Sequence, residues 1–197
     1  MIKYELKNVI SALEQLNYKI FTKPYMLNIV GIRSTEQPNK FDDTMFVFWK
    51  NDSDVWNYSQ YPVTTDTGTF WLKSPFDKKL GAGMMKAGQY IDAYKIGKHN
   101  GKYTALRQEK PVCAYRDNDM SSIFDYDENS VKCGQYNMNI HKAGVRSEVV
   151  NNWSAGCQVF STTADFNDFM KKVIKQGNLY GKDKFTYTLL DGRGKVT

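Results

Sequence analysis

Short runs of alternating apolar and polar residues, separated by turn residues, recur along most of this chain. They cover residues 26–32, 44–49, 56–63, 69–72, 88–96, 103–108, 112–115 and 185–190. Because successive side chains of a strand point to opposite faces, such runs predict β-strands with one buried face. Aromatic residues, at 14% of the 197 residues, favour sheet as well. The pattern predicts a mostly antiparallel sheet or barrel.

Two segments carry apolar residues at helical spacing instead. The first, residues 3–20, has a stripe of Leu6, Val9, Ile10, Leu13 and Leu16 and ends before Lys23 and Pro24. The second, residues 164–176, has a stripe of Phe166, Phe169, Met170, Val173 and Ile174; Thr162 or Thr163 caps it and Gly177 stops it. The sequence therefore predicts a mainly β, α+β protein with a helical segment at 1–24 and one domain over 25–197.

Composition and charge narrow the function classes. No run approaches 18 apolar residues, so membrane insertion is not expected. The N-terminal segment carries acids within its apolar pattern and lacks a small-residue cleavage site, so the sequence predicts no signal peptide and synthesis in the cytoplasm. The net charge of +6 favours anionic surroundings such as nucleic acid, membrane surfaces or cell-wall polymers. Scattered basic residues without a helix-turn-helix, RNA-binding or zinc-finger pattern argue against nucleic acid.

Cysteine and histidine are scarce, which makes their positions informative. An odd count of three cysteines leaves at least one thiol free. Cys113 falls in an apolar strand and is interpreted as a core residue, and Cys133 as either core or loop. His99 lies in a Gly-flanked hairpin and is expected at the surface. Cys157 follows His141 by sixteen residues, within a Ser-Ala-Gly-Cys tetrapeptide.

The stretch from His141 to Cys157 has the parts of a cysteine nucleophile site. A nucleophilic thiol needs a base, and backbone N–H groups to hold the oxyanion that follows. His141 ends an alternating run, and the polar loop at 141–152 is long enough to bring its imidazole to the sulfur. The hypothesis assigns Cys157 as nucleophile, His141 as base and Ser154 as a positioning residue. The amides of Gly156 and Cys157 are assigned to the oxyanion.

Two details of this site stay open in the sequence. A carbonyl near the start of the loop, at Lys142 or Ala143, is expected to orient the imidazole. Free cysteines are usually buried and inert, so a structural Cys157 is the alternative. An activated thiol is expected to alkylate well below pH 8, whereas an inert one has an ordinary pKa near ~8.5.

The same stretch resembles the signature of the YkuD-type L,D-transpeptidases, in which a His and a spacer precede Ser/Thr-His-Gly-Cys. His141, Ser154, Gly156 and Cys157 match that signature at the family's spacing. The resemblance implies a β-sandwich or barrel fold with an N-terminal helix and a helix after the cysteine. It also implies acyl transfer on peptidoglycan stem peptides, with no cofactor required.

The chain departs from that family pattern at four positions. Ala155 replaces the second His and Lys142 the Gly that commonly follows the first. Gln158 and Val159 stand where an apolar residue and Arg are usual, so the residue that grips the substrate carboxylate is unassigned.

Residues 28–190 also resemble uncharacterised phage and prophage proteins that share the blocks NIVGIR, GQY, NIHxA and WSAGCQVF. That resemblance favours hydrolysis by a lysis enzyme or a virion-borne wall enzyme. It implies action on the cell wall after release or within a phage particle, with other virion proteins as further partners. Two alternatives remain: a non-catalytic wall-binding or virion structural module on the same fold, and a cytosolic cysteine hydrolase or transferase with another small peptide substrate.

An acidic segment resembles a calcium loop. Oxygen donors occur at alternating positions, as calcium ligation requires: Asp117, Asp119, Ser121, Asp125 and Glu128. Ser122 stands where the sharp turn of such a loop needs Gly, so an acidic turn between strands is the alternative. Asp42 and Asp43 form a second acidic pair, which is interpreted as solvated loop acids rather than catalytic carboxylates.

Overall fold

The computed structural model describes residues 3–34 and 39–192. The α-helices are α1 (Leu6–Gln15), α2 (Thr69–Lys73) and α3 (Thr163–Tyr180), with a 3-10 helix at Glu128–Ser130. The strands are β1 (Asn28–Arg33), β2 (Asp43–Lys50), β3 (Trp56–Thr64), β4 (Ala82–Met85), β5 (Gly88–His99), β6 (Tyr103–Gln108), β7 (Val112–Asp117), β8 (Lys132–Gly134), β9 (Ile140–Lys142), β10 (Gln158–Phe160) and β11 (Lys184–Asp191). The prediction of a mainly β, α+β protein is confirmed.

Eight of these strands close a barrel in the order β1-β11-β5-β6-β9-β10-β3-β2, and β4-β7-β8 form a separate small sheet. Most neighbours are antiparallel, as predicted, but β1 pairs with β11 and β9 pairs with β10 in parallel. The parallel β9–β10 pair decides the geometry of the site described below.

Alternation along the strands divides the apolar residues between two clusters. Ile29 belongs to the cluster inside the barrel, whereas Val30 and Ile32 belong to the cluster beneath α1. Gly31 lies between them and faces inward, where a Cβ atom would overlap the Tyr187 hydroxyl. The alternation that predicted the strands therefore also distributes their side chains.

The N-terminal stripe forms α1, which packs on the outside of the barrel. Val9 and Leu13 are buried there against β1 and β2. The helix is shorter than the predicted stripe, and none of the described helices is long and apolar enough to span a bilayer. A division at residue 24 stays a prediction, and its outer limits, residues 1 and 197, lie outside the described residues.

The second stripe forms α3, which joins the interior cluster through four buried residues: Phe166, Phe169, Met170 and Val173. Thr162 caps it by accepting a hydrogen bond from the Asp165 amide at 3.1 Å. The predicted stop at Gly177 is wrong, because this glycine lies inside the helix against Ile96, and the chain turns at Gly181 with φ +58°. Ile174, predicted inward, is 42% exposed.

Two further predictions are corrected. Residues 69–72 form α2 rather than a strand, because the Gly68 carbonyl accepts from the amides of Trp71 and Leu72. A four-residue apolar run does not by itself distinguish helix from strand. Cys113 is not a core thiol, since β7 and β8 place it opposite Cys133 and the two form a disulfide. All three cysteines lie in the described part of the chain, and Cys157 is the free one.

Candidate active site

The parallel pairing of β9 with β10 brings His141 and Cys157 to one face of the barrel wall. Val159 is the register partner of His141, and the Gln158 amide donates to the Asn139 carbonyl at 2.9 Å. Cys157 precedes Val159 by two positions and is therefore the diagonal neighbour of His141. The Cys157 thiol itself donates to the Asn137 carbonyl, with the sulfur 3.5 Å from that oxygen.

The His141 imidazole is held in one tautomer. Its Nδ1 lies 2.9 Å from the Lys142 carbonyl oxygen. Because a carbonyl only accepts, Nδ1 carries the proton and Nε2 keeps its lone pair. The Tyr103 hydroxyl donates to the same carbonyl at 3.2 Å and lies 3.4 Å from Nδ1. Of the two carbonyls left open by the sequence, the structure selects that of Lys142.

Ser154 shapes the turn that carries the thiol. The side chain is fully buried, and its Oγ donates to the Cys157 carbonyl at 2.8 Å and accepts from the Gly156 amide at 3.1 Å. The Ser154 carbonyl also accepts from the Gly68 amide at 2.9 Å, which ties the turn to the segment after β3. The Gly156 amide is thus bound within the turn, and the assignment of the Gly156 and Cys157 amides to the oxyanion stays a prediction.

Gly156 has a conformational role in this turn. Its φ of +112° lies in a region that side-chain-bearing residues rarely adopt. A Cβ atom there would lie 2.5 Å from the Gly83 carbonyl oxygen and 2.7 Å from the Met138 methyl carbon. Only glycine lets the turn pass this close to β4.

The surroundings of the pair favour its neutral form. Protein atoms crowd the sulfur although part of Cys157 is exposed, and this burial raises the thiol pKa to about 11. Burial is the main reason that the pKa of His141 is lowered to about 3; in acid, repulsion from a protonated His99 acts in the same direction. The pKa of the Cys157 thiol is therefore neither lowered, as in an activated thiol, nor near the ordinary value; it is raised. Both shifts favour a neutral thiol and a neutral imidazole over a preformed ion pair.

Gln158, which occupies the position of an apolar residue in the family signature, links the turn to the barrel interior. It is fully buried; its Oε1 accepts from the Tyr187 hydroxyl at 2.7 Å and its Nε2 donates to the Gly156 carbonyl at 3.2 Å. Gln158 thus holds the turn from inside, while Ser154 braces it locally. The sequence showed only that this position is polar.

A groove of roughly 200 Å³ lies beside the turn that carries Cys157. Its lining includes Ala155, Met138, Trp71, Phe76 and Tyr136. Phe76 is 81% exposed and stacks on Trp71 with the ring centroids 4.0 Å apart. Large apolar rings held open to solvent next to a cleft are typical of binding surfaces.

Arg116 is a half-buried cation in this groove that sequence reasoning missed. Its Nη2 donates to the Gly81 carbonyl at 2.6 Å, its Nε to the Leu80 carbonyl at 3.4 Å, and its guanidinium lies 5.2 Å from the Tyr136 ring centre. These contacts hold the guanidinium in place at the groove. Arg116 directly follows the predicted run at 112–115, and that run alone does not say where the strand lies in the fold.

A buried polar network lies at the same end of the barrel. Arg33 forms an ion pair with Asp66 at 2.8 Å, and Asp43 accepts from the Thr65 amide at 2.7 Å and the Ser34 amide at 2.8 Å. The interpretation of Asp43 as a solvated loop acid is wrong, since it is 2% exposed. This network fixes residues 64–68, which in turn hold Ser154 through Gly68.

The acidic loop keeps its oxygen donors in internal bonds. Asp117 accepts from the Asp125 amide at 3.0 Å and Asp119 from the Ser121 amide at 2.7 Å, while Glu128 pairs with Lys86 and Tyr115. Within residues 3–34 and 39–192, no group of three or more His, Cys, Asp or Glu side chains is arranged to hold a metal ion. Calcium binding here stays a prediction.

No protein-family model, curated protein or solved structure matches this chain. The resemblance to the YkuD-type enzymes therefore rests on the four matching residues quoted above.

Proposed function

We propose that this chain is a cysteine acyl-transfer enzyme that acts on peptidoglycan stem peptides. The observation that carries the proposal is the parallel β9–β10 pair, which sets Cys157 diagonally beside an imidazole whose Nδ1–H is bound to the Lys142 carbonyl. An imidazole held in this way presents Nε2 as a proton acceptor, as a general base requires. The resemblance to the YkuD-type enzymes supports the choice of substrate.

The reaction would start from the neutral pair. Cys157 Sγ attacks the carbonyl carbon of the third stem-peptide residue while His141 Nε2 takes the thiol proton. The tetrahedral oxyanion collapses to a thioester as His141 returns the proton to the leaving amine. Water then releases the acid in a peptidase, and an amine forms a new amide in a transpeptidase. The resemblance to phage proteins favours water, and an enzyme that reaches the wall after release or in a particle.

The groove beside Ala155 would receive the peptide. We assign Arg116 the contact with a substrate carboxylate, since Val159 occupies the position of the family's Arg. A guanidinium held by backbone carbonyls is pre-organised for such a contact.

Replacing Arg116 with glutamine is expected to weaken substrate binding. Hydrogen bonds to charged groups contribute about 1.5–3 kcal/mol, which corresponds to a KM raised roughly 10- to 100-fold with kcat little changed. Steady-state kinetics on a purified stem peptide measure both constants. Arg146→Gln, an exposed arginine in a different groove, is the matched control, and equal kinetics for the two variants would remove Arg116 from the substrate site.

The deciding experiment is mass spectrometry of peptidoglycan fragments after incubation with wild-type protein and with Cys157→Ala. We expect new stem-peptide products from the wild type and none from the variant, because the variant lacks the nucleophile. Product masses distinguish water from amine as the acceptor. Products of equal yield from both proteins would exclude Cys157 as the nucleophile.

A non-catalytic wall-binding or virion structural module is the second candidate. The pKa shifts of Cys157 and His141 favour it, because both disfavour a reactive thiolate. Sedimentation of both proteins with purified wall, without any change in the fragments, would select this function. If the protein neither sediments with the wall nor changes the peptidoglycan fragments, the remaining candidate is a cysteine enzyme that acts on another small peptide.

A further inference from the structure

The chain contains two histidines, and they stack on each other. His99 lies face to face with His141, with ring centroids 4.0 Å apart and planes inclined by 18°. The expectation that His99 is a surface hairpin residue is wrong, since it ends β5 half-buried beside the candidate base. The β5–β6 hairpin places the His99 ring on His141. No local sequence pattern predicts this contact.

Side-chain amides face both ring nitrogens of His99. The Asn139 side-chain oxygen accepts from the Gln108 amide at 2.9 Å, so the Asn139 amide nitrogen is the atom that lies 3.3 Å from His99 Nδ1. That nitrogen only donates, and Nδ1 of His99 must accept. The Asn100 amide nitrogen lies 3.2 Å from the other ring nitrogen, Nε2, so a doubly protonated ring would face an amide donor at both positions.

The charges around His99 also oppose its protonation. Burial, and then the positive charges of Arg107 and Lys102, lower the pKa of His99. Two other titratable groups lie near the two histidines. The ring centre of Tyr103 is 5.6 Å from that of His99, and the Lys142 ammonium group donates a hydrogen bond to Thr163 Oγ1 at 3.0 Å. The remaining titratable neighbour, Cys157, has a raised pKa and is uncharged near neutrality.

We propose that His99 is a positioning residue that stays uncharged and supports the imidazolium formed at His141 when it takes the Cys157 proton. An uncharged aromatic face attracts a cation stacked on it, whereas a second imidazolium at this distance repels it. The Asn139 amide maintains the effect because it opposes protonation of His99. This inference rests on the proposed function for its catalytic consequence, but its chemistry is measurable without any substrate.

Asn139→Asp tests the proposal directly. The aspartate has the same shape and still accepts from the Gln108 amide, but it replaces the donor facing His99 Nδ1 with an acceptor. His99 is then expected to be protonated at pH 7 and to oppose proton transfer to His141. Because general-base catalysis contributes roughly 10²–10⁴-fold, kcat and the rate of Cys157 alkylation by iodoacetamide should each fall about 100-fold, with KM little changed.

Variants of His99 separate this effect from the new charge at position 139. His99→Phe keeps an uncharged ring and is expected to be about tenfold more active than His99→Leu, which removes it, on the order of the effect of a misplaced catalytic group. In the His99→Phe background, Asn139→Asp should have little further effect. An equal loss in both backgrounds would overturn the proposal, because the added carboxylate would then act on Cys157 itself.

Nitrogen NMR of the imidazoles supplies the readout that a structural role would not change. Two histidines yield two sets of signals, and wild-type protein should show both imidazoles neutral at pH 7, with the His141 proton on Nδ1. A charged His99 overturns the inference whatever the activity. Neutral imidazoles and the expected alkylation rates without peptidoglycan products would uphold the inference and reject the proposed function.

Discussion

Replacing Arg33 with methionine is expected to lower the free energy of unfolding by about 3–5 kcal/mol, the usual cost of removing one partner from a buried ion pair. Arg33 is fully buried and pairs with Asp66 at 2.8 Å, and its Nη2 also donates to the carbonyls of Thr65 at 3.2 Å and Met85 at 2.9 Å. Without the guanidinium, the buried carboxylates of Asp66 and Asp43 lose their nearest positive charge.

Urea unfolding at pH 7 measures this loss. Arg146→Met, which truncates an exposed arginine, is the matched control and should change stability by less than about 0.5 kcal/mol. Adding Asp66→Asn to Arg33→Met should recover part of the loss, because one of the uncompensated charges is removed. A loss below about 1 kcal/mol, or no recovery in the double variant, would show that Arg33 does not hold this end of the barrel.

Acid is expected to destabilise the wild-type protein more than His141→Asn, by about 2.5 kcal/mol between pH 7 and pH 4.5. Burial lowers the pKa of His141 to about 3 in the folded chain, whereas an unfolded histidine titrates near ~6.5. Below the unfolded pKa, the unfolded chain binds a proton that the folded chain does not, so stability falls with pH until the folded pKa is reached. The slope is about 1.4 kcal/mol per pH unit over this window.

Urea unfolding of both proteins at several pH values tests this prediction through the slopes rather than the absolute stabilities. Between pH 7 and 8.5, where histidine is neutral in both states, the two curves should run parallel. Parallel curves from pH 7 down to 4.5 as well would mean that the folded protein protonates His141 readily and that the imidazole is better solvated than its contacts indicate.

Local patterns were sufficient for most of the secondary structure. Alternation located six of the eight barrel strands, and the stripes located α1 and α3, because residues two or four apart in sequence share a face whatever the rest of the chain does. It did not locate β9 or β10, which have three residues each. The errors fall where a segment is too short to show a period, as in α2, or where packing overrides a propensity, as at Gly177.

Some features of the candidate site follow from the sequence, and others follow only from the tertiary structure. The sequence by itself determined the chemistry that is available: a scarce histidine, a cysteine in a small-residue turn, and a serine able to brace that turn. His141, Ser154 and Cys157 are close in the chain, and their spacing carries that information.

Only the tertiary structure decided how those groups are set. The pairing of Cys113 with Cys133, the binding of the Gly156 amide by Ser154, the placement of Arg116 in the groove and the stacking of His99 on His141 each depend on strand register or loop geometry. Three of these contacts join segments that are distant in sequence, and no local pattern encodes the register that joins them. The pKa values follow the same rule, because burial is a property of the assembled barrel rather than of any segment.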